Sequence, residues 1–490
     1  MASVAASGSC RAQDVARRVF EAAVAAADPR QCVADALTVA GSVLSVARPL
    51  GGSAKEGEAT AVSVDLAETG GVVLVGAGKA AVPMAAAVVE ALGPALDHLG
   101  LPLSGHVVTK TGHFVGTSWE AVFADSPVAV VEASHPIPDA GSVAAADAIV
   151  AALKAAASAS PPPLVINVLS GGASSLMESP AGPLSLDDVQ ATYEALIGCG
   201  ASIDDINAVR KHLSAVKGGR LLEAAAPAAI VTLALSDVVG DALDVIGSGP
   251  TEEDTTSFDD ARAVIARYNL ANTLPPPVVA YLAAGSPAND TPSRASHPCL
   301  FAAATNVVVG SNALALAAAE RTARELGFGV IVLSSRVEGE AAGVAPVYAA
   351  LARSIVDSAA PIPAPAVVLA GGETTVTLGA APGKGGRNQE LALAAAVALD
   401  AQRPKLDPAA AARIAILAAG TDGTDGPTDA AGGLVSYATV AAGDAVLGQG
   451  AALAALRTHD AYPFLTAADA LVVSGPTGTN VMDITAVVVA

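Results

Sequence analysis

Aromatic side chains are scarce in this 490-residue sequence: Phe, Trp and Tyr together make up 3% of it. Large rings therefore cannot carry the core, which must rest on Ala, Val, Leu and Ile. Positive charge is scarce as well. Lys and Arg number 26 against 47 Asp and Glu, a net charge of −21. A surface of that sign repels nucleic-acid phosphates and anionic lipid headgroups, which argues against both as partners. The four cysteines, Cys10, Cys32, Cys199 and Cys299, are too few for a disulfide framework and lack the CxxC or CxxH spacing of a zinc site. Long apolar runs are missing too. Mean hydropathy is +0.52, yet residues 224–235 form a run of only twelve that contains Pro227 and Thr232, short of the roughly 18 apolar residues a membrane span requires. No continuous apolar stretch precedes Asp14, which argues against a signal peptide, and Ala490 closes the sequence without a peroxisomal or retention tripeptide. The sequence reads as soluble and cytoplasmic, with a short organelle-transit segment as the minor alternative.

What is present is a rhythm. Runs of Val, Ile and Leu at 72–75, 164–169, 229–235, 307–309, 330–333, 367–370 and 414–418 are each followed by Gly, Ser or Asp and then by an Ala-rich helical stretch. This is the pattern of parallel βα units, so the fold class is α/β. At roughly 100 to 200 residues per domain the chain holds two or three domains. Proline clusters at 161–163, 275–277 and 361–365 break the units. The Pro-, Ser- and Asn-rich stretch 269–298 is the best boundary, giving a first domain over 13–268 and a second over 299–490. No internal repeat of 20 to 50 residues goes beyond the βα rhythm.

Ligands of α/β sheets bind beyond the carboxyl ends of the strands, so the residues just after each strand carry the chemistry. After the first run come Gly76, Gly78 and Lys79, a glycine turn whose amides and lysine suit a phosphate. A dinucleotide site would also need an acid after the next strand, which instead ends in Thr109-Lys110. An ordinary turn with a solvated lysine is the bland alternative. Ser170, Gly171, Gly172 and Ser174 form a second such loop, and no GxSxG elbow makes these serines nucleophiles. His135 lies in a proline-flanked turn and is equally well structural or catalytic. Arg210, Ser214 and Lys217 are expected on one face of a helix capped by Gly218-Gly219, a focus of positive charge that is either an anion site or an exposed helix end. Asp237, Asp241 and Glu252 follow, as Mg²⁺ ligands or helix caps. In the second half, Glu373 follows Gly371-Gly372, and Gly385, Gly386 and Arg387 open a helix as a phosphate clamp. Asp422 and Asp425 lack EF-hand spacing and are Mg²⁺ candidates or loop formers. Neither GxxxxGK[ST] nor a protein-kinase HxD or DFG signature is present.

Taken in order, these segments resemble the type II glycerate kinases, the glycerate 2-kinase or MOFRL-domain family. The matching stretches are GAGKAA at 76, HPIPD at 135, LSGGASSL at 169, INAVRKHLSAVKGGRL at 206, SDVVGD at 236, GSGPTEEDTT at 247, GGETTVTL at 371, GKGGRNQEL at 383, GTDGTDGPTDAAGG at 420 and GPTGTNVMD at 475. The resemblance implies two α/β domains, the first Rossmann-like, with an active-site cleft between them. It implies ATP-dependent phosphorylation of D-glycerate to 2-phosphoglycerate with Mg²⁺ or another divalent cation, and it places essential roles on Lys79 and Arg387. It allows a homo-oligomer. Two departures stand out: SGGASS at 170–175, with Ala173 and Ser175, where the family usually has SGGGSA, and Pro463 where it usually has no proline. The rival readings are an NAD(P)H-dependent hydroxypyruvate reductase, a kinase of a related small hydroxy acid, and a non-catalytic nucleotide-binding regulator.

Overall fold

The computed structural model describes residues 2–47, 49, 60–379, 382–402 and 407–490; the side chains of residues 2–10, Cys10 included, and of Thr60 lie outside the described residues. The chain forms two compact units. One comprises Pro29–Leu50 and Ala54–Val309, the other Met1–Asp28, Gly51–Ser53 and Gly310–Ala490.

The first unit opens with an antiparallel meander of β1 (Leu37–Ala40), β2 (Val43–Ala47) and β3 (Thr60–Asp65). Its main sheet contains β4 (Val72–Ala77), β5 (Leu103–Lys110), β6 (Val128–Ala133), β7 (Leu164–Leu169), β8 (Ile230–Leu235) and β9 (Ala304–Gly310), in the order β6-β5-β4-β7-β8-β9. Counted from β4 this is 3-2-1-4-5-6, the order of doubly wound nucleotide-binding sheets. The pairs from β6 to β8 are parallel, and Ala77 aligns with Val108 on one side and Leu169 on the other. β4, β7 and β8 are buried along their whole length, which is why they read as unbroken apolar runs rather than alternating ones.

The helix Ala140–Ser158 corrects one expectation, because by length and composition alone it is apolar enough to cross a membrane. Its periodicity explains it otherwise. Ala145, Ala146, Ile149, Leu153 and Ala156 form one stripe packed on Val73, Val75, Val108 and Val165 of the sheet, and small residues let helix and sheet approach closely. Asp139 starts the helix through a reciprocal capping box with Ser142. Residues 269–298 belong to this same unit. They carry the helix Pro276–Ala284, whose Val278 and Leu282 pack with Phe258, Val264, Ile206 and Leu213. The turn-forming composition marks the flanks of this stretch and hides its two apolar anchors.

In the second unit β10 (Gly329–Val337), β11 (Ala366–Gly372), β12 (Ile414–Gly420), β13 (Gly432–Val435), β14 (Leu471–Val472) and β15 (Asp483–Val489) form a sheet of order β10-β11-β15-β12-β13-β14. Only β10 and β11 pair in parallel. β15 runs antiparallel between β11 and β12, so the sheet is mixed where the βα rhythm predicts a parallel one. The helix Ala2–Ala26 packs against the helix Asn312–Glu325 and against β12 and β15.

Candidate functional site

At the carboxyl ends of β4, β7 and β8 the sheet brings together Lys79, His135, Gly171, Gly172 and Asp237. A side-chain carbon at Gly171 would lie 1.9 Å from Asp237 Oδ2, and one at Gly172 would meet both the His135 ring and the Lys79 stem. The two glycines are therefore required by close approach, and Gly172 also has a φ of 86°. Among the described residues nothing accepts a hydrogen bond from the Gly171 or Gly172 amide, and Lys79 Nζ has no ion-pair partner within 4 Å. Two free N–H groups close to the stem of an unpaired lysine are what an anion-binding loop requires.

The turn after β4 does something different from what its sequence predicts. Gly78 N donates to Val108 O, Lys79 N to Gly171 O, Ala80 N to Ser170 Oγ and Ala81 N to Gly78 O. All four amides that a phosphate would need are spent inside the protein. Gly76 and Gly78 serve packing instead: a side chain on Gly76 would strike Val168, and one on Gly78 would strike Ser170. The phosphate-binding part assigned to the Gly76–Gly78 turn is corrected accordingly, while the Ser170 hydroxyl accepts from Ala80 and keeps its own proton to donate. The anion site shifts to the Gly171-Gly172 loop.

Charge tunes this end of the sheet. Burial, then Lys79, Lys110 and His113, depress His135 to about 4, so its ring is neutral at pH 7. Burial pushes the Asp237 carboxyl up while the nearby Lys79 opposes it. Ala173, the departure from the family's glycine, is fully buried, and the adjoining Gly247 leaves room for its methyl.

The basic segment that follows splits in two. The helix Ile203–Leu213 ends at Ser214, before Lys217, and Gly219 instead begins the helix Arg220–Ala225. Lys217 is completely buried and its Nζ donates to Glu178 Oε2 at 2.5 Å; the Tyr193 hydroxyl donates to the same oxygen at 2.7 Å. A buried, paired ammonium cannot serve a ligand, so Lys217 is structural. Arg210 lies over the Tyr193 ring, 4.7 Å from its centroid, with no carboxylate partner among the described residues.

In the second unit the register of β15 places Asp483 opposite both Gly372 and Gly420, the last residues of β11 and β12. Arg387 Nε and Nη2 donate to the two Asp483 oxygens at 2.6 and 3.0 Å, and Nη1 pairs with Glu373 at 2.9 Å. Burial works against the Arg387 charge, but Asp483, Glu373 and Asp425 outweigh it and keep the guanidinium firmly protonated. Two of its five N–H groups are spent on Asp483, and the Nη1 end is paired with Glu373 by charge without a hydrogen bond. The helix Arg387–Gln402 is already capped, because Asp425 accepts from the Asn388 and Gln389 amides at 3.2 and 2.8 Å. Burial raises Asp425 to about 6 against those bonds. The Gly385 and Gly386 amides have no acceptor among the described residues, so this loop stays a candidate phosphate clamp. A side chain on Gly386 would strike Asp425, and Lys384 is tied to Asp460 and Tyr462 through its backbone. Pro463 sits in the first turn of the helix Ala461–Ala467, where it displaces no intrahelical bond.

The metal candidates separate in the same way. Glu252 accepts from Arg294, Asn306 and the Glu253 amide and is spent. Asp425 is spent as a cap, Asp241 occupies a turn at φ 59°, and Asp422 accepts from the Thr424 amide. No other residue donates to Asp237 among the described residues. No three His, Cys, Asp or Glu side chains cluster to hold an ion among the described residues, although Mg²⁺ brought with nucleotide phosphates needs only one or two protein carboxylates. Asp483 went unassigned in the sequence; its signal was its place as the last residue of GPTGTNVMD, at the mouth of an apolar strand.

Comparison with known proteins agrees with this architecture. Residues 15–283 match a domain of unknown function, DUF4147, and residues 366–483 match the MOFRL family. The chain is 41% identical over 480 residues, 98% of its length and 94% of the relative's, to an Agrobacterium vitis protein provisionally named a hydroxypyruvate reductase. It is 37% identical to the D-glycerate 2-kinase of Thermotoga maritima, over 84% of this chain and 89% of that one. The crystal structure of glycerate kinase from Thermotoga maritima superposes with a TM-score of 0.78 at 32% identity, covering 98% of this chain and 99% of that one. The chain belongs to the glycerate 2-kinase family, in which a DUF4147 domain precedes a MOFRL domain.

Proposed function

We propose that this protein transfers the terminal phosphoryl group of ATP to D-glycerate, forming 2-phosphoglycerate. The observation that carries the reading is the cradle of Lys79 and the Gly171 and Gly172 amides beside Asp237. Phosphoryl transfer asks little covalent chemistry of a protein and much positioned positive charge. Lys79 and Arg387 are the two cations assigned to it, one in each unit. Asp237 has a carboxylate unspent on other residues and suits a Mg²⁺ ion arriving with the nucleotide; bound there, the ion would offset charge on the phosphoryl oxygens. The names of the glycerate kinase relatives support the same substrate.

The reductase reading is disfavoured by the turn after β4. A dinucleotide pyrophosphate rests on the amides of that turn, and here all four are occupied. β5, moreover, ends on Lys110 rather than on an acid that could hold a ribose diol.

One assay tests the proposal. ADP release with D-glycerate and Mg²⁺, and a ³¹P spectrum of 2-phosphoglycerate, are expected. NADH oxidation with hydroxypyruvate and no ADP release would overturn it.

A further inference from the structure

We infer that Asn207 and Arg210 form the subsite that binds the carboxylate of the hydroxy-acid substrate, an assignment that rests on the kinase reading above. Both residues lie on the helix Ile203–Leu213, three apart and so on one face. Asn207 is buried to 4% exposure, yet its Nδ2 has no acceptor; the Nε of Arg210 is buried and equally unpartnered. Buried donors are nearly always satisfied, so two orphans on one helix face point to a missing acceptor.

The orientation of Asn207 follows from its neighbours. Ser248 Oγ donates to Asn207 Oδ1 at 3.1 Å, so its own oxygen is left to accept from Ser174 Oγ at 2.7 Å. This relay from Ser174 through Ser248 holds the amide oxygen inward and leaves the amide nitrogen as the free end. Arg210 lies over the ring of Tyr193, whose hydroxyl is anchored by the buried Glu178 and Lys217 pair. A planar guanidinium without a carboxylate, next to an amide N–H₂, presents donors only. The fitting ligand is a carboxylate. Ser174, having given its proton to Ser248, keeps lone pairs for a substrate hydroxyl, and it stands two residues from Gly172 in the anion cradle. A small 2,3-dihydroxy acid satisfies every one of these groups.

Ser248 acts through Asn207 and is a positioning residue. Equilibrium titration of D-glycerate into the wild type, Asn207→Asp, Arg210→Lys and Ser248→Ala tests the assignment without needing turnover. Asn207→Asp turns a donor into a like charge, and Arg210→Lys loses the planar fork. Each should weaken D-glycerate binding about 10- to 100-fold, leave affinity for a nonhydrolysable ATP analogue unchanged, and raise KM for glycerate more than it lowers kcat. Ser248→Ala should give a smaller rise in KM alone. Glycerol, which lacks the carboxylate, should bind poorly to the wild type and no worse to the variants. If Asn207→Asp fails to fold, Arg210→Lys carries the same test. Unchanged D-glycerate affinity in the folded variants, or wild-type affinity for glycerol equal to that for D-glycerate, overturns the subsite. Absence of ADP release by a wild type that still binds D-glycerate through these residues overturns the kinase reading alone; failure of the wild type to bind D-glycerate overturns both.

Discussion

Arg387→Lys is the most discriminating single substitution, because it keeps the charge and removes only the fork. In the wild type the guanidinium makes two charge-assisted hydrogen bonds, both to Asp483, and an ion pair with Glu373. An ammonium at the end of a straight chain can keep one of the two bonds to Asp483 and loses the other, and the part-exposed pair with Glu373 adds little. Hydrogen bonds to charged groups are worth about 1.5 to 3 kcal/mol. The Arg387 side chain is 34% exposed, so the lower value applies and the loss is about 1.5 kcal/mol, a factor of about 10. A protein of two units has no single unfolding free energy, so the measurement should be local. Hydrogen exchange of the amides at 388–393, the first turns of the helix that Arg387 opens, should accelerate by about that factor. The same substitution should lower kcat by about 10² to 10³ if Arg387 stabilises the transferred phosphoryl. Exchange and kcat both at wild-type values would refute the reasoning, since the fork would then support neither helix nor reaction. Accelerated exchange with full kcat would confine Arg387 to structure.

Three further outcomes are expected. Lys79→Ala should reduce kcat about 10²- to 10³-fold and, by removing one of the charges that depress it, raise the titration of His135 above about 4 in an NMR pH series; an unmoved His135 resonance would place Lys79 elsewhere. Lys217→Met leaves Glu178 buried and unpaired and should destabilise the first unit by about 3 to 5 kcal/mol, whereas Lys217→Met combined with Glu178→Gln should recover most of that, as judged by urea midpoints; equal losses in the single and double variants would contradict a paired role. His135 binds its proton more weakly folded than unfolded, so the unfolded chain protonates first as pH falls. Its contribution to stability is complete above about 6.5 and declines down to about 4; a His135→Gln variant with the same pH dependence between those values would show that other groups set it.

The strands of the first unit were legible because a parallel sheet covered on both faces demands unbroken apolar runs, and 72–75 and 164–169 fall inside β4 and β7. Lys79, the Gly171-Gly172 loop and Asp237 were legible because they follow such runs. What an individual glycine or lysine does was not. Gly78 reads as part of a phosphate loop, and only its distance to Ser170 and the bond from its amide to Val108 show that it is a packing contact. Lys217 reads as a surface cation, and its burial depends on Glu178, 39 residues away. The antiparallel insertion of β15 was hidden for the same reason: composition reports that a strand is buried, not which neighbours bury it. Asp483 takes its meaning from that insertion.

The position of β15 sets the order of events during synthesis. It follows every other strand of its sheet in the sequence yet lies in the middle of that sheet, bonded to β11 and β12 on either side. Until residues 483–489 emerge from the ribosome, β11 and β12 each expose a bare hydrogen-bonding edge of mostly apolar residues, the kind of surface on which nascent chains aggregate. The helix Ala2–Ala26 packs on the helix Asn312–Glu325, on β12 and on β15, and the part of its face that meets β15 must wait for residues 483–489. The unit that carries Arg387 is thus completed only by its last strand, and a ribosome that stalls shortly before residue 483 would release a finished first unit joined to an open, adhesive half-sheet.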